Sequence, residues 1–314
     1  MAMTADTVPV LSLAQARAES AAQRAAFGAQ LAAGWQRFGF VIVRDHGIGD
    51  DLLDHAYNLA ARLFALPDAQ KRRYIAGLRG YTPFGVEHAK DHTAPDLKEF
   101  WQIGRDVPGS SDFAANSWPA ELPEFRPAFL ALYRELDAVG ALMLEALAPS
   151  LELPPGWFAE RVAQGNSVLR VIHYPPLSAV VPPGSLRSAA HEDINFITIM
   201  VAARGAGLEL RDADGRWRPV VADSRQLIVN TGDMLARLTN DRIGAKTHRV
   251  VNPVGPSVSR YSMPFFMHPH DSVSLACLPS CRGAGARYAD ITAGEFLAQR
   301  VREIGLQTGS GPSR

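Results

Sequence analysis

The feature that most limits what this chain can become is a change of period near its middle. Between Leu13 and Phe38 apolar residues recur every three or four positions, as in Ala25, Ala29, Leu31, Ala32 and Trp35, the spacing of a helix with one buried face. From Ser167 onward the chain shifts to short alternating runs broken by turn residues, the pattern of antiparallel β structure. Helices first and strands afterwards predict one α+β, mainly β domain in which a helical half buttresses a barrel or sandwich. At 314 residues the chain is long enough to bury such a core. We divide it into a helix-rich region of roughly 1–165, a β core of roughly 166–270, and a C-terminal strand, helix and tail over 271–314.

Local signals fill in this outline. Gly39 stops the first helix, Phe40 to Val43 reads as a strand, and His46-Gly47-Ile48-Gly49 turns the chain toward Asp50, expected to be a helix N-cap. The helix that follows carries Leu53, Leu59, Leu63 and Phe64. Gly, Ser, Asn, Asp and Pro between Ile103 and Pro123 predict loop, and an apolar helix runs from about Glu124 to Leu147. In the second half, Gly207 to Arg211 and Arg216 to Val221 form a hairpin about Asp214-Gly215. Further strands are expected at Gln226–Val229, Lys246–Asn252 and Arg260–Met267.

Charge excludes some partners. Lys plus Arg and Asp plus Glu number 32 each, so no net field draws in nucleic acid or an anionic membrane surface. Nowhere do about eighteen apolar residues run together, and Met1 to Val8 lacks a basic segment followed by an apolar one. The expectation is a cytoplasmic protein with no membrane contact and no obligate protein partner. Cys277 and Cys281 are expected to be reduced thiols rather than a disulfide or half of a metal site.

Chemistry concentrates in three places. His191-Glu192-Asp193 opens a strand-like run to Met200, and alternation places His191, Asp193 and Asn195 on one face. Two imidazoles and one carboxylate, with His248 lying 55 residues beyond Asp193, would leave half an octahedron open at a metal ion. Alone, His-x-Asp is more often an exposed strand end, and a histidine in the β-prone segment around His248 is more often a satisfied core residue. Arg260 and Ser262, two apart with Phe266 on the same parity, would point into a barrel. A buried arginine without an acid needs an anionic guest, whereas an outward Arg260 would simply be solvated.

His191-x-Asp193, His248 and Arg260-x-Ser262, in this order and spacing, resemble the isopenicillin N synthase-like branch of the 2-oxoglutarate/iron(II) dioxygenases. The likeness extends to Val8–Leu13, Gly34-Trp35-x-x-Phe38-Gly39-Phe40, Asp45-His46-Gly47-Ile48, Gly80-Tyr81, Lys98-Glu99-Phe100, Leu169-Arg170-x-x-His173-Tyr174-Pro175 and Val229-Asn230-Thr231-Gly232-Asp233, roughly residues 7 to 300. It implies a double-stranded β-helix, or jelly roll, with His191, Asp193 and His248 as iron(II) ligands and Arg260, Ser262 and Tyr174 on 2-oxoglutarate. Dioxygen would be the second cosubstrate, and a C–H bond of a small-molecule substrate would be hydroxylated or otherwise oxidised. Ile172 stands where many relatives have Asn, removing one polar group from the pocket, and Glu192 replaces a commoner Thr at a position whose parity points away from the metal. Asn195, Phe266, Tyr81, Phe100 and Trp101 are candidate substrate residues, with Phe84 and the stretch from Pro175 to Ser188; ordinary packing is the competing reading for each. Three other functions share these motifs: an oxidase that does not use 2-oxoglutarate, a ligand-binding module without catalysis, and a zinc site.

Overall fold

The computed structural model describes residues 7–89, 94–107, 113–177 and 181–303. Strand β1 (Val10–Ser12) leads through a 3-10 turn into α1 (Ala21–Phe38). The single helix expected from Leu13 is therefore interrupted: the Ser20 side chain accepts from the Gln23 amide and starts α1 afresh. Gly39, at φ 64°, closes α1 with its N–H on the Trp35 carbonyl. Next come β2 (Phe40–Arg44) and α2 (Asp50–Phe64). Gly49 rather than Asp50 is the N-cap, and Asp50 and Asp51 sit in the first turn, where the helix dipole favours carboxylates.

The rest of the N-terminal half holds α3 (Asp68–Lys71), β3 (Ile75–Ala76), β4 (Arg79–Thr82), β5 (Glu99–Gly104), α4 (Phe125–Leu147) and α5 (Trp157–Val162). Strands β3 to β5 carry no alternation to betray them; all six residues of β5 are buried. The second half supplies β6 (Val168–Tyr174), β7 (Ser188–His191), β8 (Ile197–Arg204), β9 (Leu208–Arg211), β10 (Trp217–Pro219), β11 (Leu227–Thr231), α6 (Asp233–Leu238), β12 (His248–Val250) and β13 (Arg260–Met267). Among the described residues the C-terminal region shows, in place of the expected strand, a single bridge between Ser274 and Thr292, followed by α7 (Ala293–Glu303). The expected tail after residue 303, and residues 178–180 of the stretch from Pro175 to Ser188, lie outside the described residues.

Nine strands form one sheet in the order β1-β2-β11-β8-β13-β6-β5-β4-β3, and four form a facing sheet, β10-β9-β12-β7. These two sheets are the jelly roll that the family resemblance implies. The outer face of the large sheet packs on the helices through Trp35, Phe129, Leu136, Ile199 and Phe265. Its inner face meets the small sheet through Phe40, Phe100, Ile172, Leu210, Ile228 and Val250. Helix α4 lies very close to the sheet, because a Cβ on Gly140 would come within 2.8 Å of Ile199 and Met267.

One row of the large sheet positions the site. Register pairs Phe40 with Asn230, Asn230 with Thr198, Thr198 with Phe266, Phe266 with Val168, and Val168 with Gly104. Directly paired residues share a face, and Phe40 places this row on the inner one.

Candidate active site

His191 is the last residue of β7 and His248 the first of β12, and the two are register partners in the small sheet, with ring centroids 4.4 Å apart. Asp193 reaches them differently from the sequence reading. It is not on a strand with His191; residues 192–196 form a loop between β7 and β8. The first amides of α6 pin that loop, Asp233 N–H donating to the Asp193 carbonyl (2.7 Å) and Met234 N–H to that of Ile194 (3.1 Å). A Cβ on Gly232 would lie 2.3 Å from the Asn195 carbonyl oxygen, so this approach requires glycine.

Three ligand-type atoms then converge within 4.8 Å of one another. The Asp193 Oδ1 lies 3.8 Å from His191 Nε2 and 3.9 Å from His248 Nε2. The Nδ1 of His191 donates to the Ala189 carbonyl (2.8 Å) and that of His248 to the Lys246 carbonyl (3.0 Å), which leaves both Nε2 lone pairs for a shared ion. Burial, then the neighbouring His248 imidazole, pushes the His191 pKa down to about 4 and keeps the ring neutral. Burial would raise the Asp193 carboxyl, but His248, His191 and hydrogen bonds from Thr198 and Asn230 outweigh it and hold it below its ordinary value. Those bonds both end on Oδ2, from Thr198 Oγ1 at 2.5 Å and Asn230 Nδ2 at 2.7 Å. Asn195 does not line the cavity; its Nδ2 donates to Thr198 Oγ1 (2.9 Å) from behind. Two imidazole nitrogens and a carboxylate oxygen suit a divalent iron with open positions, and among the described residues no fourth ligand joins them. Neither cysteine takes part.

Arg260 and Ser262 face the barrel interior as the parity argument requires, 1% and 2% exposed, while Tyr261 and Phe265 turn outward onto Phe64 and Tyr133. The Arg260 Nε donates to the Gly205 carbonyl (3.3 Å), its Nη1 has no acceptor, and among the described residues no carboxylate pairs with it. Tyr174 is its register partner, with the guanidinium carbon 4.9 Å from the ring. Sequence reasoning missed a second guanidinium here. Arg187 is 3% exposed and 6.0 Å from the same ring; it donates to the Val258 carbonyl, and its Nε has no acceptor. Burial, then Arg260, lowers the pKa of Arg187. Ile172, opposite Ser262, is buried among apolar side chains and offers a ligand no hydrogen bond from its side chain.

A cavity of about 480 Å³ opens on the His191 and Asp193 side. Phe266 lines it as expected, whereas Tyr81, Phe100, Trp101 and Phe84 do not. Tyr81 hydrogen-bonds Glu99 inside a buried cluster with Lys71 and His173, and Trp101 packs on Tyr74 and Phe125. Phe100 lies beneath the Arg170 guanidinium (4.1 Å), and Phe84 is exposed. Glu192 borders the cavity rather than pointing away, since the loop breaks strand parity, and it accepts from Thr247 Oγ1 (2.9 Å). The polar wall comes instead from Arg79, Glu87, Lys98, Gln102, Asn166, Arg170 and His268, scattered residues without a shared motif.

Comparison with known proteins agrees with this geometry. Residues 8–121 match the family described as non-haem dioxygenase in morphine synthesis N-terminal, and residues 165–269 match the 2OG-Fe(II) oxygenase superfamily. A proline hydroxylase of Petromyces alliaceus is 32% identical over 305 residues, spanning 90% of this chain and 95% of that protein. The chain belongs to the 2OG-Fe(II) oxygenase superfamily. Among solved structures, a 2OG-Fe(II) oxygenase family protein from Caulobacter crescentus is 41% identical, with TM-score 0.85 and coverage of 96% of this chain and 100% of that one. The Neurospora crassa T7H, solved in complex with alpha-KG, is 27% identical with TM-score 0.84, covering 93% and 95%. As a 2OG-Fe(II) oxygenase the chain is an oxidoreductase, with iron(II) as cofactor and 2-oxoglutarate and dioxygen as cosubstrates. No helix of the described residues is long and apolar enough to cross a membrane.

Proposed function

We propose that His191, Asp193 and His248 hold the iron(II), that Arg260, Ser262 and Tyr174 hold the distal carboxylate of 2-oxoglutarate, and that a small molecule is hydroxylated in the cavity bordered by Phe266. The observation that carries this reading is the buried Arg260, acid-free among the described residues and facing the interior of the same barrel as the triad. Bound iron(II) supplies dioxygen activation, coupling decarboxylation of 2-oxoglutarate to C–H oxidation. The protein's part is positional. Thr198 and Asn230 restrain Asp193 so that Oδ1 faces the imidazoles, and the two backbone carbonyls fix both rings. Arg187 brings a second cation beside Arg260 for the same dicarboxylic acid. The enclosing sheets keep bulk water from the reacting carbon.

Anaerobic addition of 2-oxoglutarate to the iron(II) protein should produce a weak visible charge-transfer band, absent in His248→Ala. Under air, succinate should accumulate in step with substrate oxidation. A band unchanged by His248→Ala would reject the ligand assignment, and substrate oxidation without succinate would identify an oxidase independent of 2-oxoglutarate.

A further inference from the structure

Nearly every ion in the cavity wall is answered by a protein partner. Lys98 lies 2.8 Å from both Glu87 and Asp96, and Arg170 Nη1 reaches both carboxylate oxygens of Glu87, at 3.1 and 3.2 Å. Arg300 lies 3.3 Å from Asp233 and 2.7 Å from Glu303. Arg79 differs. It is 5% exposed, and among the described residues no carboxylate pairs with it. Its Nη1 donates to the Leu78 carbonyl (3.1 Å) and its Nη2 to the Asn166 Oδ1 (2.9 Å), both neutral, while Nε has no acceptor. Three of the five guanidinium N–H groups are thus unused. A buried, uncompensated charge is costly unless an anion completes it.

The position of Arg79 is a built one. A Cβ on Gly104 would fall 2.2 Å from Arg79 Nε and 2.3 Å from its Cζ and Nη2, so the guanidinium fills the place of a missing side chain. Gly104 is the far end of the inner-face row that begins beneath the triad. Three strand spacings, about 14 Å, separate Thr198, bonded to Asp193, from Gly104, with Phe266 and Val168 forming an apolar floor between them. His268 also borders the cavity. Its Nδ1 donates to the Phe266 carbonyl (3.1 Å), which leaves Nε2 as an acceptor.

We propose that the substrate is a small organic acid whose carboxylate pairs with Arg79, with an apolar stem over Val168 and Phe266 and the oxidised carbon at the metal end. A carboxylate matches the forked guanidinium and supplies acceptors for the idle N–H groups. An N–H or O–H along the stem meets His268 Nε2. This inference rests on the reading of the metal and 2-oxoglutarate sites given above.

The test uses the full-length protein loaded anaerobically with iron(II) and 2-oxoglutarate. The probes are amino acids, N-acyl amino acids, and aryl and alkanoic acids, each matched with its primary carboxamide, with binding read by thermal shift and by perturbation of the charge-transfer band. At least one acid should bind about tenfold or more tightly than its amide, a difference of about 1.4 kcal/mol or more. Arg79→Gln should bring that acid to the level of its amide, and Gly104→Ala, which displaces the guanidinium, should act in the same direction. Arg79→Lys should keep a preference for the acid, and 2-oxoglutarate titrations should be unchanged in all three. No acid preference anywhere in the panel, or a preference that survives Arg79→Gln, overturns the inference. If 2-oxoglutarate itself gives no band, the underlying reading fails; a normal band without acid preference removes only the assignment of Arg79.

Discussion

Replacing Thr198 by Val tests how Asp193, the proposed metal ligand, is held. The hydroxyl lies between two groups, accepting from Asn195 Nδ2 at 2.9 Å and donating to Asp193 Oδ2 at 2.5 Å. Valine keeps the branched shape but removes both hydrogen bonds. A hydrogen bond to a charged group is worth about 1.5–3 kcal/mol, and the Asn195 amide left buried without an acceptor adds about 1–3 kcal/mol. At about 2–4 °C per kcal/mol, the scale for chains somewhat shorter than this one, the metal-free melting temperature should fall by roughly 5–24 °C. Asp193 would retain only Asn230 on Oδ2 and gain freedom to rotate Oδ1 away from the imidazoles, so iron(II) affinity should drop about 10–100-fold. Anaerobic competition titration, or cobalt(II) absorption as a reporter, measures this directly. Thr198→Ser, which keeps the hydroxyl, should stay within about threefold of the parent affinity. If Thr198→Val binds metal as tightly as the parent, or if the serine variant is equally impaired, the hydrogen-bond chain does not set the ligand's position and packing of the methyl group does.

Three other outcomes follow from the same geometry. Arg187→Met should weaken 2-oxoglutarate about tenfold or more by titration of the charge-transfer band, without lowering the melting temperature of the ligand-free protein; unchanged affinity would remove Arg187 from the cosubstrate site. Burial pushes the His268 pKa down to about 4, so on acidification the unfolded chain takes up a proton that the folded one refuses. Stability should therefore decline as pH falls from about 6.5 toward 4, by up to about 1.4 kcal/mol per unit from this residue, and His268→Gln should reduce the slope of urea midpoints against pH by about one proton; an unaltered slope would contradict the assignment. Gly140→Val should destabilise the fold by about 2 kcal/mol or more through overpacking against Ile199 and Met267, and a chevron or urea curve matching the parent would show that α4 can shift outward at little cost.

How far the sequence foretold this structure depends on the kind of signal. The two-residue period of Arg260, Ser262 and Phe266 survives into the structure because β13 pairs with β6 in one unbroken register, Arg260 with Tyr174, Ser262 with Ile172 and Phe266 with Val168, although its pairing with β8 shifts at Ser262. The same reasoning placed His191 and Asp193 on one strand, and there the chain leaves the sheet; their proximity comes from α6 amides that no local pattern announces. Strand β5 was hidden because both its faces are covered, which erases alternation. Tyr81 and Trp101, candidate substrate residues by sequence, are core residues. Arg79, Gln102 and Arg170, with Lys98 just ahead of β5, became visible as a cavity wall only when three adjoining strands brought them together.

The large sheet is stitched from both ends of the polypeptide: β2 covers the open side of β11, and β5 covers that of β6. An isolated C-terminal half would present two bare strand margins and invite self-association rather than fold as a working catalyst. The arrangement also separates two tasks along the gene. The proposed triad and Arg260 anchor are encoded after residue 187, whereas Arg79, Glu87, Lys98 and Gln102 of the cavity wall are encoded before residue 105. Edits to that one stretch can therefore reshape part of the cavity wall, including the proposed Arg79 contact, without touching the residues proposed to hold the metal.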